Sequence, residues 1–282
     1  MTHAGVHSTL STFTASDGDN LAVQDWHLPE GVQPRATVLV VHGLGEHAGR
    51  YDALALRLNA WGFAVRSYDQ YGHGESGGPR GGLSQSRRLL DDLADLVESS
   101  RRRSPGTPLV LLGHSLGGLV ASSFVAQRML PVEALVLSSP LLALRLTPVQ
   151  KLLMSIVPKV APNLTVSNGI DATLLSHDPE VVVAYRADPL VHDRICGRLA
   201  AFMAEEPAAV RGRAANWHVP TLLMYAGDDQ VVDPEGSRLF AESAPQALVT
   251  ARRFDGLYHE IFNERESEPV YDCLRQWLDA RF

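Results

Sequence analysis

The segment Gly113-His114-Ser115-Leu116-Gly117 constrains the fold of this chain more than any other. It has the pattern G-x-S-x-G. The apolar run Pro108-Leu109-Val110-Leu111-Leu112 precedes it, and Gly118-Leu119-Val120-Ala121-Ser122-Ser123-Phe124-Val125-Ala126 follows it. The pattern reads as a buried strand, a tight turn and a helix, with Ser115 at the apex of a nucleophile elbow. Small residues flank the serine because bulky side chains would clash across so sharp a turn. The turn holds the hydroxyl clear of the backbone at the carboxyl end of its strand. The same five residues also fit a plain polar turn, so the rest of the chain must supply the groups that a serine nucleophile needs.

Around this element the chain alternates between strand and helix patterns. Residues 8–14 and 21–28 read as strands joined by the turn Asp17-Gly18-Asp19-Asn20. Strands are expected at 36–41, 63–68, 134–138, 221–225 and 248–254, and helices at 51–61, 83–102, 234–243 and 268–281. Such alternation predicts an α/β architecture, a mostly parallel eight-stranded sheet with helices on both faces. The initial hairpin predicts an antiparallel edge. Between residue 141 and about residue 213 the alternation stops. Prolines at 148, 158, 162, 179, 189 and 207 break that stretch into helical pieces. It reads as a helical cap, residues 141–213, inserted after the sixth strand of a core formed by residues 1–140 and 214–282.

Composition narrows the function. A formal net charge of −7 argues against nucleic acid as a partner, because a phosphate backbone needs a basic surface. The two cysteines, Cys196 and Cys273, are far apart and suit reduced thiols in a cytoplasmic protein. The first residues lack the charged and apolar regions of a signal peptide, and no apolar run approaches the ~20 residues of a membrane span.

A serine hydroxyl attacks an ester only if a base takes its proton, and the base needs a third group to orient it. The strand at 221–225 runs into Ala226-Gly227-Asp228-Asp229-Gln230-Val231-Val232-Asp233. The strand at 248–254 runs into Asp255-Gly256-Leu257-Tyr258-His259-Glu260. An acid and a histidine thus follow two successive strands, at the sheet edge that carries Ser115. His259 is the candidate base and Asp229 the candidate acid. Asp228 reads as a solvated turn residue, and Asp233 as the cap of the helix that starts at Pro234. Two backbone N–H groups are needed for the developing oxyanion. Leu116, after the serine, supplies one, and Leu44 in the loop His42-Gly43-Leu44-Gly45-Glu46 the other. The order Ser, Asp, His is that of α/β-hydrolases.

These segments together resemble the monoacylglycerol lipases and related lysophospholipase-like serine hydrolases. His42-Gly43-Leu44-Gly45-Glu46-His47-Ala48-Gly49-Arg50-Tyr51 is similar to their H-G-x-G-E-H-x-x-R-Y signature. Asp69-Gln70-Tyr71-Gly72-His73-Gly74-Glu75-Ser76-Gly77-Gly78 resembles their D-x-x-G-H-G-x-S-x-G loop. Gly113 to Gly118 and Gly256 to Glu260 match the elbow and the histidine turn, and Asp178 to His192 is similar to their cap. The resemblance runs from about residue 10 to the end of the chain. It implies a carboxylic ester hydrolase of the α/β-hydrolase fold acting on a small lipid ester without a cofactor. It implies a Ser115, Asp229, His259 triad and substrate contacts from Arg50 and Tyr185 at the polar end of the pocket. Gln70 stands where the family often has histidine, and Ala226 where many members have glycine. A lysophospholipase or a broad carboxylesterase is the alternative activity, and a non-catalytic receptor on the same scaffold the alternative class.

His42, His73 and His114 lie in glycine-rich loops without metal-ligand spacing, so no metal is expected. In the cap, Val149, Leu152, Leu153, Ile156, Val157 and Val160 fall on an apolar stripe beside Lys151 and Lys159. Such a stripe either packs on the core or forms a hydrophobic rim that touches a lipid surface transiently.

Overall fold

The computed structural model describes residues 8–145 and 156–282. Ten strands are labelled here in chain order: β1 (Ser8–Thr14), β2 (Asn20–Trp26), β3 (Thr37–Val41), β4 (Ala64–Tyr68), β5 (Leu109–His114), β6 (Ala134–Ser138), β7 (Thr165–Ser167), β8 (Arg194–Cys196), β9 (Thr221–Ala226) and β10 (Val249–Phe254). The helices are α1 (Asp52–Ala60), α2 (Arg88–Arg103), α3 (Leu116–Ala126), α4 (Pro179–Ala187), α5 (Gly197–Gly212), α6 (Pro234–Ser243) and α7 (Glu268–Asp279).

Eight strands form one sheet in the order β1-β2-β4-β3-β5-β6-β9-β10. The hairpin β1–β2 is antiparallel, β2 pairs antiparallel with β4, and every later pairing in this sheet is parallel. The central strands are apolar throughout because helices cover both faces. Their side chains still divide by the two-residue strand period. Leu39, Val41, Leu109 and Leu111 enter the core beneath α2, α3, α5 and α6. Val38, Val40, Val110 and Leu112 enter the core beneath α1 and α7. Because β3, β5, β6, β9 and β10 run parallel, the loops after them emerge at one edge, the usual place for a site in such sheets.

Two sequence expectations need correction. Helix α2 starts at Arg88, not near residue 83. The backbone carbonyls of Leu83 and Ser84 accept hydrogen bonds from the Arg198 guanidinium at 2.8 Å, where a helix would turn them toward N–H groups four residues on. The cap is not wholly helical, since β7 and β8 form a two-stranded antiparallel sheet. Strands of three residues are too short to show a period. The apolar stripe of the cap lies in part outside the described residues, at Val149, Lys151, Leu152 and Leu153. Its remainder, residues 156–160, is helical and does not pack fully on the core: Ile156 is 47% exposed and Val160 74%.

The second half of the insertion is anchored differently. Leu199, Phe202, Met203 and Val210 of α5 are buried in the same core as α3. Ser123 on α3 donates to Glu206 on α5 at 2.6 Å.

Candidate active site

Ser115 stands between β5 and α3 with φ 52° and ψ −118°. Positive φ is costly for a residue with a Cβ, and it persists only where the surroundings enforce it. Here they do. The Ser115 N–H donates to the Ser138 carbonyl at 3.0 Å, and the Ser115 carbonyl accepts from the N–H groups of Leu119 and Leu141. The flanking glycines are required by contact. A Cβ on Gly117 would collide with the carbonyl oxygen of Val41, and one on Gly113 with the carbonyl oxygen of Gly117.

The loop after β9 brings Asp229, 1% exposed, beneath the loop after β10. One carboxylate oxygen, Oδ1, accepts from the N–H groups of Val231 and Val232 at 2.8 and 2.9 Å. The other, Oδ2, lies 2.7 Å from His259 Nδ1. A carboxylate partner at Nδ1 assigns the proton to that nitrogen and leaves Nε2 as an acceptor. Burial raises the Asp229 pKa, but His259 and the two backbone donors outweigh it, and the net shift is downward. Burial lowers the His259 pKa, and the Asp229 carboxylate, with Glu260 and Glu46, reverses this into a net rise. The expected neighbours also separate. Asp233 caps α6 by accepting from the Glu235 N–H at 3.1 Å, and the Asp228 N–H donates to the Leu257 carbonyl while His259 pairs with Asp229.

Among the described residues, neither the Leu44 N–H nor the Leu116 N–H has an acceptor within the chain. The Ser115 hydroxyl has no hydrogen-bond partner there either; serine–imidazole contacts of this kind often tighten only when substrate binds. A cavity of about 260 Å³ opens on Ser115. Leu44, Leu116, Leu141, Leu144, Ile170, Leu174, Ile195, Met203 and Val231 give it an apolar lining, with Asn168, Asp171, Arg145 and Gln230 as its polar members. A serine in a largely apolar slot with two free backbone N–H groups, and a carboxylate-paired imidazole on a loop at the same sheet edge, are the groups that acyl transfer needs.

Arg50 and Tyr185 are not among the residues lining that cavity. The Arg50 guanidinium donates to Glu46 at 2.5 Å and to both oxygens of Glu260 at 2.8 and 2.9 Å. It also lies 4.7 Å from the centre of the Tyr185 ring. Sequence reasoning missed what Arg50 serves. Glu46 accepts from the Gly43 N–H at 2.5 Å and the Tyr51 hydroxyl at 2.6 Å, so it braces the loop that presents Leu44. Burial opposes its charge, but Arg50 and the neighbouring donors hold its pKa at about 2. Glu46 shares Arg50 with Glu260, more than 200 residues away, a link no local motif shows.

His114, beside the serine, was also missed. Its ring centre lies 4.7 Å from that of His259, and its Nδ1 lies 3.1 Å from Ser138 Oγ. Burial and the adjacent His259 lower its pKa to about 4, so near neutral pH it packs against His259 as an uncharged ring. Residues 188–192 contact the same loops. His47 Nε2 pairs with Asp188 at 2.8 Å, and the His192 N–H donates to the Gly45 carbonyl at 2.9 Å. Glu264, buried, accepts from the N–H groups of His177 and Tyr258 and so ties the cap to the His259 loop.

Known proteins resemble this chain in sequence and in fold. A monoacylglycerol lipase of Mycolicibacterium smegmatis is 35% identical over 281 residues, covering 97% of this chain and 98% of that protein. The crystal structure of a monoacylglycerol lipase of Paleococcus ferrophilus superposes with a TM-score of 0.83 at 35% identity, covering 93% of this chain and 99% of that one. A monoglyceride lipase of Saccharomyces cerevisiae shares the fold, with a TM-score of 0.87 at 23% identity over 99% of this chain and 98% of that one. The sequence model of the family described as serine aminopeptidase, S33 matches residues 32–266. With its match running from before β3 to beyond the loop that carries His259, and so including the loops that carry Ser115 and Asp229, this chain belongs to the serine aminopeptidase S33 family of α/β-hydrolases.

Proposed function

We propose that the chain is a serine ester hydrolase that cleaves monoacylglycerols to fatty acid and glycerol. His259 takes the Ser115 proton through Nε2 as Oγ attacks the ester carbonyl. The N–H groups of Leu44 and Leu116 receive the oxyanion, and Asp229 stabilises the imidazolium. The imidazolium then gives its proton to the departing glycerol oxygen. Water, activated by the same imidazole, hydrolyses the acyl-enzyme. No cofactor enters these steps. The observation that carries this reading is the 2.7 Å contact between Asp229 and His259, at the sheet edge that presents Ser115 to an apolar cavity. The substrate class rests on the monoacylglycerol lipases that are 35% identical over nearly the whole chain.

Residues 141–213 act in this reading as a cap over the acyl slot, set on a core of residues 1–140 and 214–282. Arg50 and Tyr185 shape the polar end of the site. The exposed Ile156, Val160 and Leu164, with Lys159 beside them, suit transient contact with a lipid surface by an enzyme of the cytoplasm. Two free cysteines fit that compartment. Among the described residues no helix is long and apolar enough to cross a membrane.

The test is hydrolysis of a monoacylglycerol by wild type and by Ser115→Ala, alongside a lysophospholipid and a short p-nitrophenyl ester. The reading expects monoacylglycerol to be the best substrate and the variant to be inactive. Turnover retained by the variant would refute Ser115 as nucleophile, and a preference for lysophospholipid would refute the substrate.

A further inference from the structure

A second polar cavity, of about 190 Å³, lies at the edge of the sheet opposite Ser115. Asp25 on β2 and Arg66 on β4 are directly paired across the strands. Thr37 on β3 pairs with Ala64, two residues before Arg66. With a strand period of two, Asp25, Thr37 and Arg66 leave the same face of the sheet. That face is the one α2 covers. Ser100, Arg103 and Ser104 at the end of α2 and His27 just after β2 are the other polar members of the wall.

The groups in this cavity do not satisfy one another. Arg66 is 5% exposed, yet its Nε and Nη1 have no hydrogen-bond partner. The Thr37 hydroxyl is buried and unpartnered too. Asp25 stands 3.7 Å from Arg66 Nε and 3.7 Å from Arg103 Nη2, beyond hydrogen-bond reach of both. Burial lowers the pKa of Arg66, Asp25 opposes the change, and Arg103 adds to it. Two guanidinium groups therefore share one carboxylate at a distance, with a surplus of positive charge. Water would satisfy the N–H groups but leave that surplus.

We propose that this cavity binds one small oxyanion, a phosphate or carboxylate group, held by Arg66 and Arg103 and accepting from the Thr37 hydroxyl. The guanidinium fork matches two oxygens of such a group, and charge-assisted bonds of this kind are the strong ones. Asp25 and the carbonyl end of α2 limit the positive potential, which suits a single anion rather than a polyanion. The cavity is several times the ~30 Å³ share of a water molecule. The active-site reading does not depend on this site.

The test titrates the whole protein with inorganic phosphate against chloride at constant ionic strength, followed by thermal unfolding and 31P line width. Parallel titrations with acetate and with glycerol phosphate distinguish a carboxylate, a free phosphate and a phosphate ester as the source. Saturating phosphate is expected to raise the melting midpoint by about 2–3 °C at ten times Kd. Arg103→Ala, at a half-exposed side chain, is expected to weaken binding at least tenfold and to leave ester hydrolysis unchanged. Asp25→Asn, which removes the competing carboxylate, is expected to tighten binding several-fold. Equal binding by wild type and Arg103→Ala overturns the proposal, as does weaker binding by Asp25→Asn. A crystal structure grown in phosphate with only water against Arg66 overturns it as well. Thr37→Val, which removes the hydroxyl donor, is expected to weaken phosphate binding several-fold, and binding equal to wild type counts against the proposal.

Discussion

Arg50 and Glu260 form a two-pronged ion pair, Nη1 to Oε1 at 2.8 Å and Nη2 to Oε2 at 2.9 Å. Glu260 follows His259 in the chain, and Arg50 also holds Glu46, which braces the loop bearing Leu44. One guanidinium thus joins the loop of the candidate base to the loop of the candidate oxyanion donor. Removing one partner from a buried pair leaves the other charged and unpaired, at a cost of about 3–5 kcal/mol. Glu260→Gln is expected to lower stability by an amount of that order in a denaturant titration. It should also reduce kcat more than it raises KM, because geometry is lost while the acyl slot is untouched. A variant as stable and active as wild type would show that the pair positions nothing.

The acid assignment separates two aspartates that lie four residues apart. Asp229→Asn keeps the shape of the loop but removes the charge that orients and stabilises His259. The expected loss in kcat is roughly 10³–10⁴-fold, as in other serine triads. Asp233→Asn should change neither activity nor stability much, since asparagine caps a helix about as well as aspartate. A larger loss from the second variant would reverse the assignment.

The pH profile follows from the direction of the His259 shift. Catalysis needs the neutral imidazole, and the Asp229 carboxylate favours the charged one, so the pKa lies above its ordinary 6.5. Activity is therefore expected to rise with pH along a limb whose midpoint lies above 6.5, and to fall as protons occupy Nε2 on the acid side. The remaining activity of Asp229→Asn should show that midpoint moved down. A wild-type limb centred below 6.5 would contradict this account of the carboxylate.

Gly117 gives a prediction about the fold itself. A Cβ there would meet the backbone oxygen of Val41 on the neighbouring strand, and backbone in a sheet interior cannot move aside cheaply. Gly117→Ala is expected to lower the melting temperature and to abolish esterase activity together, because the elbow must shift. Gly106→Ala serves as a control: nothing lies within 4 Å of its Cβ position, although its φ of +78° carries some strain. If Gly117→Ala unfolds no earlier than the control, the close approach is not what requires the glycine.

Local chemistry made much of this protein legible in one dimension. The apolar runs at 37–41, 109–112 and 134–138 are too continuous for half-buried strands, and they form the parallel centre of the sheet. The helix from Pro234 to Ser243 starts and ends where its aspartate cap and its apolar spacing predict. The placement of Ser115, Asp229 and His259 at one sheet edge was readable because each follows a strand, and parallel strands bring such loops together.

The remainder required folded coordinates, because it rests on partners distant in sequence. The delayed start of α2 depends on Arg198, over 110 residues later. The short sheet of β7 and β8 depends on backbone pairing that leaves no side-chain period. The ion pairs of Arg50 to Glu46 and Glu260 join loops that lie far apart in sequence, which no local pattern shows. Sequence by itself determined which backbone shapes and which chemical groups this chain could offer. Tertiary structure decided which buried charges meet, since a charge in the interior must find its partner wherever the fold places one.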